Sequence, residues 1–437
     1  MLLTMVRGTP RHAWRTRAAR LLAWGPALAA LALGASCSGG RLPAGLDFMS
    51  FLGARVATPQ PTIAPTPVPT PTPTPLPGPY PRAPLPLPTA AFAAMEGVAV
   101  GTVAGDGTQA MRDGPGDRAR FAGPQGLALG GAGKLLVADA AMAPVDLPGI
   151  YGAVRVVAPD GAVTTLAGDG SEGALDGEPA AARFRFPYGV AADGDGALFV
   201  ADVTNHAVRK VFPAGFVYTP PLKGPGGGAA DRFDLPHDVA LDAAGNMYVA
   251  DTRNRQIRRV TPAGEVSVFA GTGYVGNADG PAAGAGFDTP IAVAVGPDGA
   301  VYVADEGSHR IRRIRDATVI TLAGLEKGFA DGATASARFN APAGLACDSA
   351  GNLYVADAGN HRIRRVTPAG IVTTLAGAPD ADGKGGFVGA FADGTGSAAR
   401  FHTPVDVAFD AAGLLYVSDY GNHRLRRLSP RAATPAP

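Results

Sequence analysis

Residues 355–366 read VADAGNHRIRRV, which sets Asp357, His361, Arg362, Arg364 and Arg365 within twelve positions. A carboxylate and an imidazole this close could pass a proton or hold a metal, and the arginines could grip a phosphate. The tract is not singular, however. Close copies start at residues 198, 247, 301 and 415, and a sixth begins LLVADA at 135 before an insertion displaces its continuation to VRVV at 154. An active site needs one asymmetric constellation, so residues written into every copy are expected to hold each copy together. Asp139, Asp202, Asp251, Asp305, Asp357 and Asp419 are therefore read as structural turn residues, accepting N–H groups of the turn that follows. His206, His309, His361 and His423 share one turn position, which Arg255 takes in a fifth copy. In separate repeats they cannot converge on one metal, whose ligands lie ~2 Å from a common centre.

The elements that position these residues form a repeating unit. Before each copy stands a short run, PQGLAL, PYGVAA, PHDVAL, PIAVAV, PAGLAC or PVDVAF, and after most comes TTLAG or a variant. Each unit thus supplies four short runs with strand character, broken by Gly, Asp and Asn turns and without helical periodicity. The six repeated aspartates are 49 to 63 residues apart. Six such units predict an all-β, six-bladed β-propeller, in which radial repetition leaves few exposed sheet edges. GVAVGTVAG from Gly97 matches an outer strand, and the chain's last unit lacks one. The N-terminal strand is expected to pair with the last blade and close the ring.

The tract YVADxxNHRIRRV, with VTTLAG, the DG turn, ARF and PxGVA, resembles the NHL repeat, a β-propeller family. The resemblance covers about residues 97 to 430. It implies the fold strongly and the function weakly, since NHL propellers include protein-binding modules, sensor domains of bacterial receptor kinases, RNA-binding domains and a few lyases.

Function is sought where the repeat departs from itself. At the start of the innermost strand, expected to line the channel, the variable pairs are Gln125–Gly126, Tyr188–Gly189, His237–Asp238, Ile291–Ala292, Ala343–Gly344 and Val405–Asp406. Gln125, Tyr188, His237, Asp238, Asp406 and nearby His402 are the channel-lining candidates. His237, Asp238 and Asp406 form a candidate set for Ca²⁺ or Zn²⁺. Propeller lyases and lactonases hold their metal in this place with three or four side chains from several blades, whereas here only two blades offer suitable groups. No catalytic residue and no cofactor are assigned. Cys347 is read as a core residue. Two insertions, 140–153 and 379–394, offer loops on adjacent blades.

Composition narrows the partners. The chain has 437 residues, 46% of them hydrophobic and 17% charged, with 61 glycines and 40 prolines. Residues 1–96 carry eight arginines against Asp47 and Glu96, which leaves 30 basic and 35 acidic residues of the 38 and 37 for the remainder. A mildly acidic body is the wrong sign for nucleic acid, and no aromatics interleave with the arginine pairs, which are expected on the solvated or salt-bridged rim.

The N-terminal region reads as an address and a tether. Five arginines precede the apolar run Leu21–Ser36, the layout of a signal peptide over 1–36. Cys37 in LGASCSGG resembles the lipobox of bacterial lipoproteins, although Gly34 stands where leucine is usual. The alternative is ordinary cleavage and secretion. Residues 37–96 form a lipidated N-terminus and a linker whose alternating prolines favour extended polyproline II. The propeller takes 97–431, and 432–437 is a tail. The expectation is an exported, membrane-tethered, monomeric propeller that binds or scaffolds a protein or other envelope ligand without catalysis. The alternative is a metal-dependent lyase or lactonase acting in the channel.

Overall fold

A computed structural model describes residues 78, 80–89, 98–142, 150–224, 228, 232–378, 380–381 and 387–430. The expected signal peptide, Cys37, most of the linker and the 432–437 tail lie outside the described residues. Among the described residues no helix is long and apolar enough to cross a membrane.

Six antiparallel sheets form the blades of a β-propeller. The innermost strands are Pro124–Leu129, Pro187–Ala192, Pro236–Leu241, Pro290–Val295, Pro342–Cys347 and Pro404–Phe409, in blades 1 to 6. Each packs against its two neighbours, and that of blade 6 meets that of blade 1, so the ring is closed. The closure is the expected one. Val98–Ala104 pairs antiparallel with Arg424–Pro430, from Val98 opposite Pro430 to Ala104 opposite Leu425.

The sequence LYVAD is strand-forming and wholly buried because a blade has a neighbour on both sides. In blade 5, Leu353 and Val355 join the cluster shared with blade 4, while Tyr354 and Ala356 join the cluster shared with blade 6. That is the period-two alternation of a strand with two dry faces. Six such clusters, one per interface, replace a single central core. At ~25 cal/mol per Å² of apolar area, burial on both faces of every second strand is the main stabilising term.

The disc has two unlike faces. One carries the tight turns from innermost to second strand, where Asp348 accepts the N–H groups of Ala350 (3.0 Å) and Asn352 (2.8 Å) and Gly351 adopts φ 80°. Asx turns of this kind need the left-handed conformation that glycine takes without strain. The other face carries the turns that follow the repeated aspartates.

The end of the proline-rich stretch is not a free spacer. Residues 80–89 form a strap across the first face, from blade 2 to blade 5. The Ala83 carbonyl accepts from Gly194 N (2.8 Å), the Pro88 carbonyl from Ser349 N (2.9 Å), and Arg82 pairs with Asp195 at 2.9 Å. Upstream, Lys210 donates to the Gly78 carbonyl at 2.9 Å, and the Tyr80 hydroxyl donates to the Pro221 carbonyl. Leu87 packs on the cluster between blades 4 and 5.

Candidate functional site

The repeated polar residues account for themselves within the blades. In blade 5, Asp357 accepts from Arg364 Nη1 (2.6 Å), Asn360 Nδ2 (2.8 Å) and Asn340 N (2.9 Å). Arg364, fully buried, also reaches the Arg338 and Ala330 carbonyls and both Nε and Nη2 meet Asp331, the latter at 2.6 Å. Asp331 in turn accepts Thr374 N at 3.1 Å, tying the arginine to the outer strand. Aromatic rings of Phe329 and Phe339 lie 4.9 and 5.0 Å from the guanidinium. A buried guanidinium is costly unless its planar fork of donors is met, and here nearly every donor has an acceptor.

Blades 1, 2 and 6 repeat the pair closely, with Arg155–Asp139 at 2.6 Å, Arg209–Asp202 at 2.7 Å and Arg426–Asp419 at 2.7 Å. It is looser in blades 3 and 4, where Arg258–Asp251 is 3.4 Å and Arg312–Asp305 is 3.7 Å. Two expectations are corrected here. The first arginine of each pair is core and not rim, because its strand position faces the ARF phenylalanine and the aspartate. The backbone donors to the aspartates come from upstream of the innermost strand, at Gly123, Arg185, Asp234, Thr289, Asn340 and His402, and not from the following turn. The turn supplies a side chain instead: Asn205, Asn254, Ser308, Asn360 or Asn422.

Three of the four turn histidines, His206, His309 and His361, are staples between blades. His206, His309, His361 and His423 all have φ between 52° and 59°. Nδ1 of His361 accepts Thr403 N of blade 6 at 2.9 Å, and Nδ1 of His309 accepts Ala341 N of blade 5 at 3.0 Å. An imidazole accepting at Nδ1 is neutral, with its proton on Nε2. His402, expected beside the channel, is instead exposed, its ring lying against Gly389 and Gly421 and 5.9 Å from that of His361. The short side chains there leave room for the ring at the rim of the aspartate-turn face.

The channel gathers most of the remaining candidates. Asp238 of blade 3 accepts Val293 N of blade 4 (2.8 Å) and its neighbour Val239 N (2.8 Å). Asp406 of blade 6 accepts Leu127 N of blade 1 at 2.7 Å. The innermost strand is the inner edge of each blade, so N–H groups on its channel side have no ladder partner and are open to these carboxylates. Gly189 and Gly344 make room on the other side, since a Cβ at either would fall 2.0 or 2.4 Å from Oδ1 of Asp238 or Asp406. Burial raises both carboxyls' affinity for a proton, that of Asp406 to about 7, and the charge of Asp406 raises Asp238 further. The charge of one carboxyl disfavours that of the other, so the two titrate as an interacting pair.

His237 does not join them. Its Nδ1 is bonded to the Leu235 carbonyl (2.9 Å) and Thr252 Oγ1 (3.0 Å), and burial lowers its basicity. It meets Tyr188 edge to face at 5.3 Å. Tyr188, from blade 2, packs on the cluster of blades 4 and 5 and so spans the channel. Burial raises its hydroxyl's pKa, as do the charges of Glu306, Asp406 and Asp238. Gln125 is buried and donates to the Ala140 carbonyl at 2.9 Å. Among the described residues no three His, Cys, Asp or Glu side chains are grouped to hold a metal ion. Glu306 and Tyr420 were not singled out by sequence, yet both immediately follow a repeated aspartate, at a position that varies between repeats as the channel pairs do.

On the strap side of the carboxyls lies a chamber of about 610 Å³. Its walls are the innermost strands of all six blades, Asp238 and Asp406 included, and its cover is Ala83 to Pro88. Among the described residues neither insertion touches it. The first is a lengthening of the second and third strands of blade 1 to Met142 and from Ile150, and the second includes a pairing of 380–381 with 387–388. Both lie on the aspartate-turn side, where Asn422 donates to the Ala390 carbonyl at 2.8 Å. Residues 143–149, 379 and 382–386 lie outside the described residues.

The chain carries NHL repeats. The profile of the NHL repeat matches residues 339–366 and 401–428, and that of the teneurin NHL domain matches 228–315. It is 30% identical over 292 residues, 60% of its length, to protein SUPPRESSOR OF QUENCHING 1, chloroplastic, of Arabidopsis thaliana. It is 34% identical over 166 residues, 34% of its length, to NHL repeat-containing protein 2 of Bos taurus. The matches span only 27% and 22% of those relatives. A solved Bacteroides thetaiotaomicron protein of unknown function shares the fold with TM-score 0.57 and 20% identity, over 76% of each chain. Similar folds occur in an auxiliary nutrient binding protein of Bacteroides ovatus, at TM-score 0.55 and 19% identity over 77% of this chain and 78% of that one, and in a Xanthomonas campestris gluconolactonase, at 0.50 and 16% over 80% and 97%.

Proposed function

We propose that this NHL-repeat propeller is a binding module, exported and held at a membrane by lipid on Cys37, and that it recognises its ligand without transforming it. The observation that carries this reading is the fate of the chemically able residues. Most of the repeated Asp, Arg and His side chains are spent on bonds within and between blades, as Arg364, Asp357 and His361 illustrate. Among the described residues the chamber is lined by Cys347 and Ser349 but by no histidine to activate either. Burial pushes the Cys347 thiol up to about 12, which makes it a poor nucleophile. A rigid disc with a preformed, mostly apolar chamber suits recognition.

The test uses the full chain. A thermal-shift screen across small-molecule and peptide classes is expected to find stabilising ligands that are recovered chemically unchanged. Recovery of a converted product overturns the non-enzymatic reading. Calorimetry with Ca²⁺ and with Zn²⁺ decides the competing lyase or lactonase reading, which needs a metal beside Asp238 and Asp406. Palmitate labelling of the wild type but not of Cys37→Ala supports the lipid tether, and equal labelling removes it.

A further inference from the structure

We propose that the chamber beneath the strap is a binding site for a small apolar molecule carrying one positive charge, such as an alkylammonium, and that residues 80–89 are its lid. This rests on reading the propeller as a binding module and names the ligand class of that module.

Size and lining come first. About 610 Å³ lies within the ~300–1,000 Å³ usual for small-molecule sites. Leu127, Val190, Val239, Val293, Leu345 and Val407 contribute one apolar wall residue from each blade. Charge then selects the occupant. Asp238 and Asp406 line the same space, and among the described residues none of its lining side chains is basic. Asp242 also borders it, but Asn246 and Tyr248 already donate to that carboxylate, at 2.8 and 3.1 Å. Asp238 and Asp406 accept only backbone N–H groups, and an ionised carboxylate has about four lone-pair sites, so both keep acceptor capacity. An ammonium brings the missing charge with three donors, while its apolar stem takes the place of water along the walls. A carboxylate ligand would meet like charge there.

The cover is built to lift. Pro84, Pro86 and Pro88 have no N–H to donate, and Leu85 remains 40% exposed. Between Ala83 and Thr89 the strap is held by bonds at its two ends, to Gly194 and to Ser349. Tyr80, Arg82 and Ala83 pin the upstream end to Pro221, Asp195 and Gly194, so the part that lifts is 84–89, held at Ser349 and by the packing of Leu87, and it opens at small cost compared with a blade.

Titration of the full-length chain at pH 8 with hexylammonium and with neutral hexan-1-ol tests both halves. The wild type is expected to bind the cation at least ~10-fold more tightly than the alcohol, the scale of one charge-assisted contact. Asp238→Asn/Asp406→Asn, which removes both carboxylates, is expected to abolish that preference and keep alcohol binding. Leu85→Ser/Leu87→Ser, which leaves the carboxyls untouched, is expected to raise the association rate several-fold. Equal affinity of the wild type for both probes overturns the ligand class, and this comparison needs no variant to fold. An unchanged association rate in the strap variant overturns the lid. If neither probe binds while other classes stabilise the chain in the thermal-shift screen, the ammonium assignment falls and the binding reading stands. If no class stabilises it, both fall.

Discussion

The blade framework and the channel it encloses are built on opposite principles. Within the framework each blade repeats nearly the same aspartate–arginine network and, in blades 2, 3, 5 and 6, the same Asx turn, and a residue is recognisable by its place in the repeat. In the channel and under the strap the blades differ, and what matters is which unlike residues the ring brings opposite one another. Asp357, in every repeat, holds its own blade together through Arg364. Asp238 and Asp406, absent from the other four repeats, each reach across to the next blade and face each other. Repetition marks architecture, and departure from it marks the place where a single ligand can be recognised.

The sharpest way to break this contrast is to cut the repeated network. Arg364→Met leaves Asp357 buried without its partner, and urea unfolding is expected to show a loss of ~3–5 kcal/mol. Arg258→Met in blade 3, where the pair is 3.4 Å apart, is expected to cost clearly less. Equal costs would show that the tight geometry of blade 5 adds nothing. Next in size is the staple between blades. His361→Ala removes the acceptor of Thr403 N and is expected to cost ~1–3 kcal/mol by the same measurement.

The channel predicts a pH dependence of the opposite origin. The folded-state pKa of Asp406 is raised from 3.8 to about 7, so the folded chain holds a proton that the unfolded chain releases. Stability from this group is fully present below 3.8 and is lost as pH rises to about 7. The melting temperature of Asp406→Asn is therefore expected to fall less steeply than that of the wild type between pH 4 and 7. Parallel curves would mean that burial in the channel does not hold a proton on Asp406. The smallest effect belongs to the strap. Leu87→Ser is expected to cost ~1 kcal/mol or less and to speed proteolytic cleavage near residues 80–89 while the blades stay intact.

Much of the fold was legible because a propeller is written once per blade. Six copies of the aspartate, the proline before each innermost strand and the orphan outer strand at Gly97 gave the blade number and the closure. Asp238 and Asp406 stood out as breaks in the pattern. His237 and His402 were drawn into the same site by proximity along the chain, but alternation along the strand sends His237 to Leu235 and Thr252, and His402 lies on the rim. The arginines were misplaced because charge suggests a surface. Their burial depends on Asp331, Asp357 and two carbonyls arriving from distant turns, which no local pattern announces. The strap was hidden because proline-rich sequence looks the same whether it is solvated or docked.

By itself the sequence determined the all-β class, the six blades and which positions break the repeat, because these depend on local periodicity and on counting. Only the tertiary structure decided that Asp238 and Asp406 form one pair, that Glu306, Tyr188 and Tyr420 share a channel, and that residues 80–89 roof a chamber. The physical reason is ring closure: it places residues from blades 3 and 6 face to face and carries a short extended segment from blade 2 to blade 5, juxtapositions set by the geometry of the whole disc.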